Sequence, residues 1–202
     1  MKKLWFVLIA LGFLSGCAAN LPAIPVAHDS VEPGSKVTRG GKTELALLGS
    51  AIRLGDQLPS VSLVDTHLQA VDLSARRGEV LLVSIVPSLD TQVCERQTHL
   101  LGEAELAPGI RKVTISRDLP FAQQRFADET GFTDILYLSD FQKAEFGSQS
   151  GLLVDQLYLL ARSVLVVDRD GTIRYLQVVP ELSHLPDMER AVAEATALAN
   201  RQ

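Results

Sequence analysis

The apolar run Val80–Val86 leads directly into Pro87, and this junction constrains the fold more than any other part of the chain. Such a run is typical of a β-strand covered on both faces, and proline ends it because proline has no N–H to donate. Residues from about 92 to 106 are predicted to form a helix. Cys94 then falls in the first turn, where the helix dipole favours a thiolate, and Thr91 can donate a hydrogen bond to the sulfur. The pattern predicts a nucleophilic cysteine at a helix N-terminus.

Strands and helices alternate along the rest of the chain. The predicted elements are a hairpin of Glu44–Leu48 with Ala51–Leu54, a strand pair of Val61–Val64 with Leu68–Leu73, a strand at Lys112–Ser116, a helix at Pro120–Glu129 with Asp118 as a possible N-cap, a strand at Ile135–Leu138, a short helix at Phe141–Phe146, a hairpin of Ser163–Val167 with Thr172–Val179, and a helix at Pro186–Ala199. This order predicts an α/β sandwich with a central mixed β-sheet flanked by helices and with an N-terminal β-hairpin. A terminal antiparallel hairpin followed by a helix is the layout of a thioredoxin-like fold.

The first seventeen residues have the pattern of a bacterial lipoprotein signal. Lys2 and Lys3 precede the ten-residue apolar run Leu4–Phe13, which is too short to span a bilayer, and Leu14–Cys17 resembles a lipobox. We expect residues 1–16 to be a signal peptide and Cys17 to be lipidated, since more than one acyl chain gives stable anchoring. The expected location is the bacterial cell envelope, on the periplasmic side, with the outer membrane favoured in a Gram-negative cell. The alternative is an ordinary signal peptide with an incidental cysteine.

Residues 17–41 are rich in proline and glycine and show no sustained apolar period. We predict a lipidated, flexible tether over 17–41 and a single folded domain over 42–202. A partly ordered N-terminal arm is the alternative for the tether.

Charge and composition exclude several classes of function. The chain of 202 residues carries a net charge of −5 and has no basic run, which argues against nucleic-acid binding. Its four histidines are scattered and its two cysteines, Cys17 and Cys94, have no zinc-ligand spacing, so no metal or cofactor is predicted. A disulfide between the two cysteines is disfavoured because Cys17 belongs to the export signal.

The chain resembles the peroxiredoxins over roughly residues 42–200. Pro87, Thr91 and Cys94 match the family's P-x-x-x-T-x-x-C signature. Further segments resemble the Tpx-type thiol peroxidases within that family: Pro87–Glu95, Ser116–Phe126, Leu138–Phe141 and Leu159–Ser163. The resemblance implies a thioredoxin-like fold and a possible homodimer.

The resemblance also implies an enzyme, a thiol peroxidase that reduces hydrogen peroxide or organic hydroperoxides. Cys94 would be the peroxidatic cysteine and would become a sulfenic acid, while Thr91, Pro87 and Arg162 complete its pocket. Arginine suits this role because its planar fork can contact the sulfur and a peroxide oxygen together.

One position departs from the resemblance. Tpx-type enzymes usually carry a second, resolving cysteine in an R-F-C pattern, where this chain has Arg125, Phe126 and Ala127. An external thiol, either a thioredoxin-like protein or a low-molecular-weight thiol, would then reduce Cys94, unless two Cys94 sulfurs from different chains pair. A different class of function also stays open: a catalytically impaired redox-sensing or binding lipoprotein that retains the fold.

Overall fold

The computed structural model describes residues 23–201 and contains a central seven-stranded mixed sheet. Its strands, in spatial order, are β11 (Ile173–Val178), β10 (Ser163–Val167), β5 (Val80–Ile85), β6 (Ile110–Ser116), β7 (Leu136–Ser139), β3 (Leu63–Asp65) and β4 (Ala70–Val71). β5, β6 and β7 are parallel, whereas the four outer strands pair antiparallel. The predicted α/β sandwich with a mixed central sheet and a thioredoxin-like layout is confirmed.

The strand predicted from the apolar run is the centre of this sheet. All six residues of β5 are buried, and they alternate between two hydrophobic clusters on the two faces. Leu81, Val83 and Ile85 belong to one cluster, and Val80 and Leu82 to the other. Because successive side chains of a strand point to opposite faces, a nearly all-apolar run is what a sheet covered on both sides requires.

Three helices cover the face to which Val80 and Leu82 contribute. They are α1 (Gln92–Glu103), α2 (Pro120–Thr130) and α4 (Met188–Ala199). Each contributes buried residues to the same cluster, among them Cys94 from α1, Phe126 from α2 and Ala191 from α4. The cysteine therefore lies between a helix and the sheet.

A small second sheet and α3 (Glu145–Ser150) cover the opposite face. The sheet contains β1 (Lys36–Arg39), β2 (Thr43–Leu48), β8 (Leu153–Val154) and β9 (Leu159–Leu160) in that order. The predicted N-terminal hairpin is present, but β2 pairs with β1 and not with Ala51–Leu54. The turn between them uses Gly40 and Gly41, both at positive φ, which only glycine adopts at no steric cost.

The flexible tether predicted over 17–41 is wrong for its described part, residues 23–41. Val26 forms a β-bridge with Leu185, and the side chains of Ala27 and Val37 are 4% and 1% exposed. Buried apolar side chains and backbone hydrogen bonds to the domain outweigh the chain entropy that proline and glycine suggested. The ordered arm is the correct alternative here. Residues 17–22, including Cys17, and the signal peptide predicted over 1–16 lie outside the described residues.

Among residues 23–201, none of the helices has the length and hydrophobicity that a bilayer span requires.

Candidate active site

The strand-to-helix junction places Cys94 in the first turn of α1. Pro87 follows β5 and is half-buried, and α1 begins at Gln92 with Thr91 as its N-cap residue. Cys94 is the third residue of the helix, where backbone N–H groups have no acceptor inside the helix. Its side chain is 0% exposed, and it is the free cysteine of the described residues. The helix N-terminus thus presents a positive potential to a sheltered sulfur.

Thr91 directs its hydroxyl at the sulfur. Thr91 Oγ1 lies 2.9 Å from Cys94 Sγ and 3.2 Å from the carbonyl oxygen of Ser88. The side chain makes no capping hydrogen bond to the helix, although Thr91 occupies the N-cap position. The hydroxyl is therefore available to the sulfur, as the three-residue spacing in sequence predicted.

Arg162 contacts the same sulfur, although it is distant from Cys94 in sequence. It precedes β10 and is separated from Cys94 by 68 positions, and its Nη2 lies 3.3 Å from Cys94 Sγ. Nε donates to the carbonyl oxygen of Leu182 at 3.1 Å, and Nη1 donates to Oε1 of Gln97 at 2.9 Å. β10 pairs with β5 in the centre of the sheet, which brings the residue before β10 next to the residues after β5. The structure thus brings Thr91 and Arg162 into contact with Cys94, while Pro87 lies in the loop that leads from β5 to α1.

The guanidinium of Arg162 is a buried cation, only 2% exposed. An ionised group of this kind is costly to bury unless an opposite charge or several hydrogen bonds accompany it. Its partners among the described residues are a carbonyl, an amide and the Cys94 sulfur, and no carboxylate pairs with it there. The sulfur is the only one of those three groups that can carry a negative charge. Arg162 therefore places a buried positive charge 3.3 Å from the Cys94 sulfur.

Gln97 is a part of this site that the sequence analysis missed. Its side chain is completely buried, donates through Nε2 to Ser84 Oγ at 2.8 Å, and accepts from Arg162. It therefore links the guanidinium to the central strand β5. The available signal was its position three residues after Cys94, on the same buried face of an otherwise amphipathic helix.

Asp118 does not act as the N-cap that the sequence predicted for α2. Leu119 holds the N-cap position, and α2 begins at Pro120. The Asp118 carboxylate turns instead toward the loop in front of α1, where it accepts hydrogen bonds from Ser88 and Leu89.

A surface groove of about 470 Å³ runs beside the same loop, between α1 and α2. Leu89, Asp90, Glu95 and Phe126 are among its lining residues, and Cys94 is not. No group of three or more histidine, cysteine or acidic side chains within residues 23–201 could hold a metal ion.

A thioredoxin-like fold with this cysteine, threonine and arginine constellation defines a peroxiredoxin-type peroxidase. The chain belongs to the Redoxin family, whose model matches residues 53–193.

Several thiol peroxidases are similar to the chain over most of its length. The one from Listeria innocua is 40% identical over 152 residues, which are 75% of this chain and 92% of the relative. The one from Staphylococcus saprophyticus is 38% identical over 148 residues, 73% of this chain and 90% of the relative. Among solved structures, a peroxiredoxin-like protein from Aquifex aeolicus superposes with a TM-score of 0.76 at 31% identity, covering 81% of this chain and 96% of that one.

Proposed function

We propose that this peroxidase reduces hydrogen peroxide or organic hydroperoxides through Cys94. The observation that carries the proposal is the pair of contacts to one buried sulfur, 2.9 Å from the Thr91 hydroxyl and 3.3 Å from the Arg162 guanidinium. A sulfur that is desolvated, paired with a cation and placed at a helix N-terminus has the surroundings of an activated nucleophile.

In the first step, the Cys94 thiolate attacks the nearer oxygen of the peroxide in line with the O–O bond. An S–O bond forms to the hydroxyl-bearing oxygen as the O–O bond breaks, and the leaving oxygen takes the bonding electron pair and the proton that the thiol lost on ionisation to become water or an alcohol. Cys94 is then a sulfenic acid. Negative charge moves from the sulfur to the leaving oxygen during this step. Arg162, which donates from a fixed position, stabilises both ends of that displacement.

The test is a single-turnover measurement on the reduced full-length protein. Stoichiometric hydrogen peroxide is added, the reaction is quenched after set times, and oxidation of the Cys94 peptide is read by mass spectrometry. We expect oxidation of Cys94 to be orders of magnitude faster than that of free cysteine, and Cys94→Ser to abolish the signal. Oxidation no faster than that of free cysteine would leave the impaired, redox-sensing protein as the better description.

We further propose that an external thiol completes the cycle. Ala127 replaces the usual resolving cysteine of Tpx-type enzymes, and its side chain is buried in α2 in the same cluster as Cys94. A thiol R–SH would attack the sulfenic sulfur, form a Cys94–S–S–R disulfide and release water. A second R–SH would then attack that disulfide, which releases R–S–S–R and restores the Cys94 thiol. Adding one equivalent of glutathione after peroxide should give the mass of the mixed disulfide. A disulfide between two chains instead would contradict this route.

We also propose that the protein is anchored to a membrane through lipidated Cys17, on the periplasmic side of the envelope. The support is the order of a basic start, a short apolar run and Leu14–Cys17. Cys17→Ser should release the protein into the soluble fraction on cell breakage. Persistent membrane association of that variant would contradict lipidation at this residue.

A further inference from the structure

The Leu182 peptide group lies between Arg162 and the N-terminal hairpin of β1 and β2. Its carbonyl oxygen accepts from Arg162 Nε at 3.1 Å, and its N–H donates to the carbonyl oxygen of Thr38 on β1 at 2.9 Å. Leu182 belongs to the turn of residues 181–184, which follows β11 and lies outside the strands of the central sheet. The hairpin therefore binds the backbone group that holds one nitrogen of the active-site arginine.

Glu181 joins this turn to the hairpin through both of its carboxylate oxygens. Oε1 accepts from the Gly40 N–H at 3.0 Å, and Oε2 accepts from the Gly41 N–H and from Thr38 Oγ1, both at 2.8 Å. Oε1 also accepts from the backbone N–H and the hydroxyl of Ser183, at 3.2 Å and 2.9 Å. Hydrogen bonds to an ionised acceptor are stronger than those between neutral groups. One carboxylate therefore determines how the hairpin and the turn fit together.

The position of the Leu182 carbonyl oxygen affects the Arg162 nitrogen that contacts the sulfur. The guanidinium is planar, and its plane is set by the Nε contact with Leu182 and the Nη1 contact with Gln97. The direction of Nη2, which lies 3.3 Å from Cys94 Sγ, follows from those two contacts. A shift of the Leu182 carbonyl group would therefore turn Nη2 away from the sulfur.

We infer that Glu181 is a positioning residue for Arg162, and that it acts from the N-terminal hairpin through the Leu182 peptide. The inference deepens the proposed function and rests on it. The hydrogen bonds of the guanidinium go to Leu182, Gln97 and Cys94, so Glu181 acts on it through the backbone. Without the carboxylate, the turn can move relative to the hairpin. Arg162 then spends less time in the orientation that stabilises the leaving oxygen.

The first measurement is a double-mutant cycle on the oxidation of Cys94 by hydrogen peroxide in the full-length protein, read by mass spectrometry after quenching. Glu181→Gln keeps the size of the side chain, but it removes the charge and replaces an acceptor oxygen by an amide nitrogen that donates. We expect oxidation to be several-fold slower than in the native chain. In an Arg162→Ala background the same substitution should change the rate by less than about twofold, because no guanidinium is left to position.

The second measurement uses no peroxide and reports on Arg162 directly. In isotope-labelled protein, the Arg162 Nε–H gives a nuclear magnetic resonance signal that is identified by its loss in Arg162→Lys. Because this group is buried and donates to Leu182, its exchange with water should be slow. Glu181→Gln should accelerate the exchange by on the order of tenfold.

The matched control is Asp168→Asn. The Asp168 carboxylate also accepts from backbone N–H groups, those of Asp170 at 3.2 Å and Thr172 at 2.9 Å, and it follows the end of β10 that is opposite to Arg162. Asp168→Asn and Glu181→Gln should both lower the stability measured by urea unfolding. Asp168→Asn should leave the oxidation rate and the Nε–H exchange unchanged, because it does not touch the turn that holds the guanidinium.

Three results would overturn the inference. One is an oxidation rate of Glu181→Gln within about twofold of the native rate. Another is an equal fold-loss with and without Arg162, which would show a structural role alone. The third is an Nε–H exchange equal to that of the native protein. If the native Cys94 fails to react with peroxide, the proposed function is refuted, and the exchange alone decides whether Glu181 positions the guanidinium.

Thr38→Val takes the place of Glu181→Gln if that variant does not fold. It removes the hydroxyl that lies 2.8 Å from Glu181 Oε2 and 3.1 Å from the Pro180 carbonyl oxygen. It should slow oxidation and accelerate the Nε–H exchange, and Thr38→Ser, which keeps the hydroxyl, should restore both values. Native values in Thr38→Val would then overturn the inference.

Discussion

Gln97 accepts a hydrogen bond from Arg162 at 2.9 Å, and the same side chain donates to Ser84 on the central strand at 2.8 Å. Gln97 thereby fixes the position of the Arg162 guanidinium, which contacts the Cys94 sulfur, relative to the buried central strand β5. Arginine has several rotatable bonds, and holding it at three points removes that freedom before any substrate arrives.

Arg162→Ala should slow oxidation of Cys94 by peroxide by at least an order of magnitude, because it removes the cation paired with the sulfur. Quenched-flow oxidation of the reduced protein, read on the Cys94 peptide by mass spectrometry, measures the rate, and circular dichroism checks that the fold is intact. Arg162→Lys should recover only part of the rate, since one ammonium cannot reproduce the forked contact with sulfur, Gln97 and Leu182.

Arg169→Ala is the matched control for that experiment. Arg169 donates to carbonyl oxygens at the end of α4, including Ala199 at 2.8 Å, and lies away from the cysteine. Its loss should lower stability without changing the oxidation rate. An unchanged rate in Arg162→Ala would remove Arg162 from the active site.

Gln97→Met should lower the oxidation rate by several-fold while leaving Arg162 in place. Methionine fills a similar volume but cannot accept from the guanidinium, so the cation loses one of its three fixed points. Gln177→Met provides the comparison, because Gln177 is also buried and its side chain donates to the carbonyl oxygens of Ala27 and Asp29 in the N-terminal arm. Both variants should lose stability, and only Gln97→Met should lose rate. Equal rates in the two variants would show that Gln97 has a structural role alone.

Thr91→Val should slow oxidation by about tenfold, and Thr91→Ser should restore most of the rate. Valine is close to threonine in shape but has no hydroxyl to donate to the sulfur or to orient a peroxide. The helix should keep its stability, since the Thr91 side chain makes no capping hydrogen bond. The urea midpoint and the oxidation rate of the three proteins are measured together. A valine variant as fast as the native protein would contradict a role for the hydroxyl.

Glu181 should make folding stability fall at acid pH. Burial raises the pKa of its carboxyl, but hydrogen bonds from the Gly41 backbone and the Thr38 and Ser183 side chains outweigh burial and lower the pKa from 4.5 to about 2. A carboxyl whose folded pKa is depressed stabilises the protein above its unfolded pKa. That contribution is lost as the pH falls from about 4.5 toward about 2.

Urea unfolding of Glu181→Gln tests this pH dependence. At pH 7 the variant should be less stable by on the order of 2 kcal/mol, and the difference should shrink as the pH is lowered through that window. Glu105→Gln, at an exposed position, should match the native protein at every pH. A difference that stays constant from pH 7 to pH 2.5 would contradict the assigned role.

The sequence was most informative where a local rule determines the structure. The nearly all-apolar run, the proline and the following helix predicted β5, α1 and the place of Cys94. The pair Asp170–Gly171 predicted the hairpin of β10 and β11, which the structure contains. In these cases a short stretch of residues carries the information.

Long-range pairing explains what the sequence did not predict. β1 lies among glycines and gains its order from pairing with β2 and from a bridge between Thr38 and Glu181. β8 and β9 are two residues each, too short for any periodicity. The helix predicted at Phe141–Phe146 begins only at Glu145, after the backbone turns at Ala144 with a positive φ.

In the active site, too, the contacts set by local sequence were predicted and those set by long-range pairing were not. The Thr91–Cys94 contact follows from helical spacing, but Arg162 was assigned through family resemblance, because 68 positions separate it from the cysteine. Asp118 was read as a helix cap, since its partners Ser88 and Leu89 become neighbours only when β5 and β6 pair.

The docking of the N-terminal arm onto the domain sets how far the protein could range from an anchor. Val26 is already bridged to Leu185, and nine positions separate it from Cys17. A fully extended chain of that length spans at most about 30 Å. If lipid at Cys17 holds the protein, the point where the arm joins the domain therefore stays within about 30 Å of the bilayer surface, and the domain works in the layer of solution next to the membrane.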